Sequence, residues 1–156
     1  MSEFSQCIKA FNEMYRLPVL TVPVSARYAT VQGQDQPTRL VNFKNILRKE
    51  LDELDDILAM YGNDTDHLDI MTAVADLLGD IQVYCASEMA KWGIPQDDVL
   101  EIIMASNMSK LGADGLPIYD SEGKVQKGPF YWKPEPEIRM ELASRINDAE
   151  AAAENG

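Results

Sequence analysis

Four acidic residues at helical spacing are the side chains in this sequence best placed to do chemistry. Glu50 and Glu53 lie three residues apart in one predicted helix, and Asp76 and Asp80 lie four apart in the next. Such spacings put side chains on the same side of a helix. Carboxylates gathered in one place repel each other unless a proton or a cation relieves the repulsion, and hard oxygen ligands favour Mg²⁺, Mn²⁺ or Ca²⁺ over zinc. We therefore predict that these four residues share a Mg²⁺ site.

The helix that carries Glu50 and Glu53 places Glu50 where an apolar residue would be expected. We predict this helix from Thr38, as its N-cap, to Gly62. On a helical wheel Glu50 falls inside the apolar arc and Glu53 falls on its edge. A carboxylate on an apolar face costs free energy unless it is paired or binds a metal. The alternative to a metal site is a buried salt bridge from Glu50 to one of three cations: Arg27, Arg39 or Lys110.

The helix that carries Asp76 and Asp80 is predicted to end near Trp92. It is apolar on almost every side, which predicts a central and buried position. One narrow polar stripe, within about 40° on the helical wheel, interrupts this pattern with four residues: Asp69, Asp76, Asp80 and Ser87. Solvation alone does not explain aspartates on a buried helix, so we expect Asp76 and Asp80 to face Glu50. Gly79 between them suggests a close contact with another helix.

A positively charged segment follows the acidic helices. Residues 107–134 contain four lysines against three acidic residues, whereas the whole chain has a net charge of −12. Asn107 and Lys110 lie at a helix end, and Lys124 and Lys127 lie in a turn flanked by glycines, where backbone amides can approach an anion. Phosphoanhydride hydrolysis needs a metal together with cations for the outer phosphates. We interpret the segment as phosphate-binding; the alternative is a solvated hairpin.

Composition limits the class of protein and its partners. With 156 residues and 46% hydrophobic content, the chain suits one globular domain. The net charge argues against a nucleic-acid polymer as partner, because such a partner needs a basic face, but it allows a single nucleotide. The apolar runs are too short to span a membrane, and the first 18 residues lack the apolar block of a signal peptide. We therefore expect a cytoplasmic protein.

Helical periods account for most of the chain, and no strand pattern is sustained. The predicted fold class is therefore all-α, an antiparallel bundle of about four to five helices. The predicted helices cover residues 3–16, 38–61, 66–92, 95–110 and 137–153, with long loops over 17–37 and 113–136. We expect one domain over 1–136 and a helical tail over 137–156. The wide apolar surface of the second long helix favours at least a dimer.

The motifs resemble those of the MazG-like all-α nucleoside triphosphate pyrophosphohydrolases. That superfamily also contains phosphoribosyl-ATP pyrophosphohydrolases and dimeric dUTPases. The acidic part of the resemblance is Glu50-x-x-Glu53 followed by a pair that ends at Asp80. The later part is similar to a bacterial and phage branch, through Asn107-Met-Ser-Lys110, Asp114-Gly115, Gly123-Lys124 with Lys127, and Trp132-Lys133-Pro134. Together these motifs span roughly residues 4–134.

The resemblance implies an all-α homodimer or homotetramer with Mg²⁺-dependent activity. The reaction would cleave a (deoxy)nucleoside triphosphate between its α- and β-phosphates, giving the monophosphate and pyrophosphate, in the setting of nucleotide housecleaning. It also implies metal binding by Glu50, Glu53 and Asp80. Four further residues would contact phosphate or sugar: Asn107, Lys110, Lys124 and Lys127. Among the acids, Glu53 is our preferred residue for orienting the attacking water, with Glu50 as the second catalytic candidate.

Two positions depart from the family pattern. Lys49 stands where the family often has a further glutamate, and Leu77 stands where it commonly has the first acid of Glu-x-x-Asp. Asp76, one helical turn before Asp80, could substitute for the acid missing at position 77. Two alternatives stay open: phosphoribosyl-ATP hydrolysis, and a non-catalytic helical protein that binds a partner as an oligomer.

Overall fold

The computed structural model describes all 156 residues, and helices dominate it. Five α-helices follow one another along the chain: α1 Glu3–Met14, α2 Gln36–Tyr61, α3 His67–Lys91, α4 Gln96–Met108 and α5 Pro134–Glu154. The only β-type pairings are two isolated bridges, Val31 with Gln34 and Tyr119 with Val125. The predicted all-α fold class is confirmed. None of the helices has the length and apolar character needed to cross a membrane.

The first of two compact units, Met1–Gly93, contains α1, α2 and α3. A short turn over residues 62–66 joins α2 to α3. Arg39 near the start of α2 binds Glu88 near the end of α3, so these two helices run antiparallel. α1 packs on α3 as well, which makes α3 the helix that both others share.

The buried residues of α2 and α3 lie at matching positions, called levels here, along the helix pair. The buried residues of α2 are separated by whole helical turns: Arg39, Glu50 and Ile57. Three buried residues of α3 repeat these separations in the opposite direction: Glu88, Leu77 and Ile70. Ile57, Ile70 and Leu77 form an apolar cluster. Glu50 therefore occupies the middle level, between an apolar end and a charged end of the helix pair.

A buried polar network fixes α1 on α3. The Asn12 side chain is fully buried and donates hydrogen bonds to the carbonyl oxygens of Pro18 (3.2 Å) and Ser87 (3.1 Å). The Ser87 hydroxyl donates to Asn12 Oδ1 at 2.6 Å. Both ends of the Asn12 amide are thus satisfied, which is the condition under which a buried polar group is tolerated.

Prolines at helix starts explain two errors in the predicted boundaries. The N-cap of α2 is Asp35, not Thr38: its carboxylate accepts hydrogen bonds from the Thr38 N–H at 2.9 Å and from the Thr38 hydroxyl at 2.7 Å. Hydrogen bonding to Thr38 lowers the pKa of Asp35. Pro37 lies in the first turn, where a missing N–H breaks no helical hydrogen bond. For the same reason α5 begins at Pro134 and not at residue 137.

The prediction that α3 is buried on all sides is wrong for a single chain. Leu68 is 71% exposed and Leu78 is 53% exposed. The apolar line of α2 also faces solvent at Leu51, Leu54 and Leu58. Only α1 and α2 pack on α3 within the first unit, and two helices are too few to cover its apolar faces. Apolar residues of both long helices therefore stay exposed in the single chain.

The second compact unit, Ile94–Gly156, pairs α4 with α5. Arg145 of α5 binds Asp98 of α4 and Glu141 of its own helix, each at 2.6 Å. The Ser106 hydroxyl donates to the Trp132 carbonyl at 2.8 Å, which attaches the loop between the helices to α4. No residue of α5 is buried. The domain boundary at residue 136 stays a prediction.

Gly93 is expected to be intolerant of any side chain. Its φ of +68° is in the left-handed region, and a Cβ atom there would lie 2.1 Å from the Val22 carbonyl oxygen. We expect Gly93→Ala to lower the free energy of unfolding by more than about 1 kcal/mol, measured by urea denaturation. Gly79→Ala is the matched control: its Cβ would meet nothing within 4 Å, so a gain of about 0.5–1 kcal/mol is expected. Equal effects at both positions would contradict this account.

Candidate metal and phosphate-binding residues

The four predicted acids all lie on the α2–α3 pair. Glu50 is 8% exposed, whereas Glu53, Asp76 and Asp80 are exposed. The negative charge of Glu50 raises the pKa of Glu53, and desolvation together with the charges of Asp80 and Asp76 raises it further. Like charges shift a pKa in this way only from nearby. The four carboxylates therefore share one region of the first unit, and their role as metal ligands stays a prediction.

Glu50 is a buried carboxylate without a neutralising partner. Its Oε2 atom is buried and has no hydrogen-bond partner. The three cations considered as salt-bridge partners make other contacts: Arg39 with Glu88, Lys110 with Asn107 and Arg27 with the Tyr28 ring. Within the first unit neither Arg27 nor Arg39 forms a salt bridge with Glu50, so the salt-bridge alternative is wrong for these two cations. An unpaired buried carboxylate is costly, and a cation bound at Oε2 would remove much of that cost.

Tyr84 is a neighbour of this acidic region that the sequence patterns did not identify. The charge of Glu50 raises the pKa of the Tyr84 hydroxyl, and desolvation, hydrogen bonding with Glu50 and the charge of Asp80 add to the increase. Tyr84 follows Asp80 by one helical turn, so the helical wheel that selected Asp80 could also have selected Tyr84. Its hydroxyl provides a hydrogen-bond donor beside the Glu50 carboxylate.

The polar stripe predicted on α3 divides into two parts. Asp69, Asp76 and Asp80 are exposed, although they lie on a helix that was predicted to be buried. Ser87 is buried and bonded to Asn12, so it belongs to the contact with α1. The predicted close packing at Gly79 is also wrong, because the space around its Cα is open. The acidic part of the stripe therefore faces solvent, where a charged ligand can reach it.

The four acids do not form a preformed coordination shell. No three acidic, histidine or cysteine side chains converge on one point as the ligands of a single ion would. Glu53 and Asp80 are exposed, so packing does not fix their carboxylates. The donors are all oxygens, which suits Mg²⁺ or Mn²⁺. The orphaned Oε2 of Glu50 supplies the one donor that is already fixed by packing.

Glu53→Gln is expected to stabilise the metal-free protein near neutral pH. Because repulsion raises the folded-state pKa of Glu53, the native state binds more protons than the unfolded state between the two pKa values. Stability therefore falls as pH rises through this interval, which begins near the ordinary glutamate pKa of about 4.3. The variant lacks this loss, so its Tm in EDTA should exceed that of the unaltered protein at pH 7 and approach it at pH 4.

The control for this effect is Asp52→Asn, which removes the same charge from an exposed position on the same helix. Asp52 lies outside the arc that carries Glu50 and Glu53, so its loss should not relieve their repulsion. Calorimetry from pH 4 to pH 8 measures both variants. Equal changes in Tm for Glu53→Gln and Asp52→Asn would show that general net charge, and not the local cluster, controls stability.

The phosphate-binding candidates all lie in the second compact unit. Lys110 Nζ donates to Asn107 Oδ1 at 2.8 Å, which joins two of the four candidates as a pair. Lys127 lies over the Tyr131 ring, 4.8 Å from its centroid. Lys124 follows a turn in which Asp120 accepts hydrogen bonds from the Glu122 and Lys124 backbone N–H groups, each at 2.9 Å. None of these lysines forms a salt bridge with a carboxylate, and their role in phosphate binding stays a prediction.

A charged network in the first unit was missed altogether. Glu88 accepts hydrogen bonds from Arg39 and from Trp92 Nε1 at 2.9 Å, and Lys91 Nζ lies 3.6 Å from its Oε2 atom. The three- and four-residue spacing of Glu88, Lys91 and Trp92 was visible in the sequence. Arg39 is 49 positions away from Glu88, and no local pattern connects the two.

The fold has a known counterpart. A crystal structure of a protein from Exiguobacterium sp. 255-15, provisionally named an NTP pyrophosphohydrolase, matches this chain with a TM-score of 0.51 and 19% sequence identity. The match covers 95% of this chain and 98% of that chain. No protein-family model matches the sequence, and no curated protein does. At this identity the likeness shows the fold alone, and it supports the all-α architecture over nearly the whole chain.

Proposed function

We propose that this protein is a Mg²⁺-dependent nucleotide pyrophosphohydrolase. It would cleave a (deoxy)nucleoside triphosphate between the α- and β-phosphates. The observation that carries the proposal is Glu50, a buried carboxylate with an unpartnered oxygen and three further acids near it on α2 and α3. The name of the Exiguobacterium protein, which shares the fold, refers to the same class of reaction. The sequence motifs around the acids and the lysines resemble those of enzymes with this chemistry.

Four acids would hold the metal: Glu50, Glu53, Asp76 and Asp80. Bound Mg²⁺ would supply positive charge to the phosphates and polarise a phosphoryl oxygen. We assign Glu53 the role of orienting the attacking water and accepting its proton, because it lies at the edge of the apolar arc of α2 and is open to solvent. Water would add to the α-phosphorus as the bond to the α–β bridging oxygen breaks, and the products are a nucleoside monophosphate and pyrophosphate.

Four residues would contact phosphate or sugar: Asn107, Lys110, Lys124 and Lys127. Lys124 and Lys127 offer ammonium groups that no carboxylate neutralises, and the Lys110–Asn107 pair offers a cation and an amide. Positive charge of this kind stabilises the outer phosphates as negative charge moves onto the leaving pyrophosphate. Housecleaning of a non-standard nucleotide is the role we propose for the reaction.

The exposed apolar faces of α2 and α3 are the basis for proposing a homodimer or homotetramer. Leu58 is 66% exposed and Leu68 is 71% exposed, on either side of the turn between the helices. A second copy of the chain would cover such surfaces with its own, as in most soluble oligomers. Light scattering coupled to gel filtration measures this directly, and a monomeric mass at micromolar concentration would contradict the proposed assembly.

Leu77 is the observation that favours the non-catalytic alternative. This residue stands at a position where the resembled enzymes commonly have an acid, and here it is 2% exposed within the apolar cluster. An acid at position 77 would lie at the level of Glu50, so its replacement removes one carboxylate from the region. Asp76 still contributes, since its charge acts on Glu53. The protein is an enzyme if Glu50 and the three exposed acids suffice for catalysis, and a non-catalytic binding protein if they do not.

A substrate panel distinguishes the alternatives. The eight common ribo- and deoxyribonucleoside triphosphates, dUTP and phosphoribosyl-ATP are incubated with the protein and Mg²⁺, and released pyrophosphate is measured by a coupled assay. Release that EDTA abolishes is expected for at least one nucleoside triphosphate. Lys124→Ala, an exposed change remote from helix packing, should raise KM for that substrate. Release from phosphoribosyl-ATP alone would support the first alternative, and release from none would support the non-catalytic protein.

A further inference from the structure

A cluster of buried charges connects α2 to α3 at the end of the pair that lies farthest from their connecting turn. Its members, called here the ion cluster, are Arg39, Glu88, Lys91 and Trp92. Arg39, Glu88 and Lys91 are each at most 7% exposed. Burial alone would raise the pKa of Glu88, but hydrogen bonds from Arg39 and Trp92 outweigh it and lower the pKa. Glu88 is therefore a charged carboxylate that several donors share.

Repulsion between the carboxylates of α2 and α3 would separate the two helices, and the ion cluster can oppose that separation. Glu50 and Glu53 project from α2 and Asp76 and Asp80 from α3, and without a cation they repel each other across the helix pair. At the turn end, the covalent connection and the cluster of Ile57 with Ile70 keep the helices together. At the opposite end no turn joins them, and the Arg39–Glu88 contact takes its place.

The spacing connects this contact to Glu50 in particular. Arg39 precedes Glu50 by about three helical turns, and Glu88 follows Asp80 by about two. Arg39, Glu50 and Ile57 share the buried face of α2, so a displacement of Arg39 from α3 would move Glu50 in the same direction. Glu50 is the only one of the four acids that packing holds in place.

Resting on the proposed function, we infer that the ion cluster is a positioning device: it holds Glu50 against α3 in the metal-free protein and thereby sets the affinity of the acidic site for its divalent cation. Arg39 makes the contact through two nitrogen atoms, Nε and Nη2, that bind the two oxygens of Glu88. A planar guanidinium fork constrains both the distance and the orientation of the helices, which a lysine ammonium does not.

The test compares Mn²⁺ affinity among variants, measured from the electron paramagnetic resonance signal of free Mn²⁺. Arg39→Lys keeps the charge and loses the fork, and we expect its dissociation constant for Mn²⁺ to increase about tenfold, as for outer-shell changes at metal sites. Trp92→Phe removes a single hydrogen bond to Glu88 and should give a smaller increase. This milder variant keeps the test decisive if Arg39→Lys folds poorly.

Ser87→Ala is the matched control. Ser87 is the residue next to Glu88 and is equally buried, but its hydroxyl binds Asn12 of α1 and not α2. It should lower Tm without changing the affinity for Mn²⁺. Amide hydrogen exchange around Glu50, measured without metal, should rise in Arg39→Lys and stay unchanged in Ser87→Ala.

The outcomes separate this inference from the proposed function. An unchanged Mn²⁺ affinity in Arg39→Lys and Trp92→Phe, despite lowered Tm, would show that the ion cluster contributes only to stability and would overturn the inference. Weaker Mn²⁺ binding in both variants supports it, even if the unaltered protein releases no pyrophosphate, in which case the proposed reaction alone fails. Absence of Mn²⁺ binding by the unaltered protein would overturn the metal site and the inference together.

Discussion

Glu50→Gln is expected to reduce pyrophosphate release by at least about a hundredfold and to leave the fold intact. The change keeps the shape of the side chain and removes its charge. Because the carboxylate is buried and its Oε2 atom has no partner, no ion pair is lost. Removing an unpaired buried charge also removes its desolvation cost, so the metal-free variant should unfold at the same Tm as the unaltered protein or above it.

The combination of lost activity and retained stability is what separates a functional acid from a structural one. A carboxylate kept for a buried salt bridge would give the reverse pattern, because breaking the pair leaves a cation buried alone. The matched control is Asp55→Asn, an exposed change on the same helix, which should alter neither activity nor Tm. Full activity in Glu50→Gln would remove the basis of the proposed site.

Glu88→Gln is expected to destabilise the protein more than Glu50→Gln, Glu53→Gln or Glu141→Gln. Arg39 and Lys91 would remain buried with no anion, and breaking a buried pair on one side costs about 3–5 kcal/mol. At about 2–4 °C per kcal/mol for a chain of this size, Tm should fall by roughly 10 °C. Urea denaturation and calorimetry measure the two quantities.

Glu141→Gln provides the comparison on the surface. Glu141 binds Arg145 at 2.6 Å, but its side chain is 31% exposed, and exposed pairs contribute about 0–1 kcal/mol.

The pH dependence of stability gives a second check on Glu88. Because the folded-state pKa of Glu88 is lowered, the stability it contributes is present above the unfolded-state pKa and is lost as pH falls through the folded-state pKa. Equal losses of stability in Glu88→Gln and Glu141→Gln would contradict the importance of burial.

The helices were predictable from sequence because their periods are local. Apolar periodicity located α1, α2 and α3, and the errors at Asp35 and Pro134 arose where proline can begin a helix as well as break one. The inward position of Glu50 was predictable for the same reason: rotation per residue places it on the apolar side of α2 whatever lies opposite.

What lies opposite was not predictable. The Arg39–Glu88 contact depends on the register between α2 and α3, and register is a property of two packed helices that neither helix encodes alone. The exposure of Leu68 and Leu78 has a related cause. Apolar periodicity shows that a face needs a partner, but it does not show whether the partner belongs to the same chain or to another copy.

The most direct test of the central claim is ³¹P nuclear magnetic resonance of nucleoside triphosphates incubated with the protein and Mg²⁺. The account predicts that, for at least one triphosphate, a pyrophosphate resonance and a nucleoside monophosphate resonance grow together. We also expect no signal from orthophosphate or a nucleoside diphosphate, and growth at least about a hundredfold slower in Glu50→Gln. Formation of a nucleoside diphosphate with orthophosphate, or unchanged spectra for every triphosphate, would contradict it.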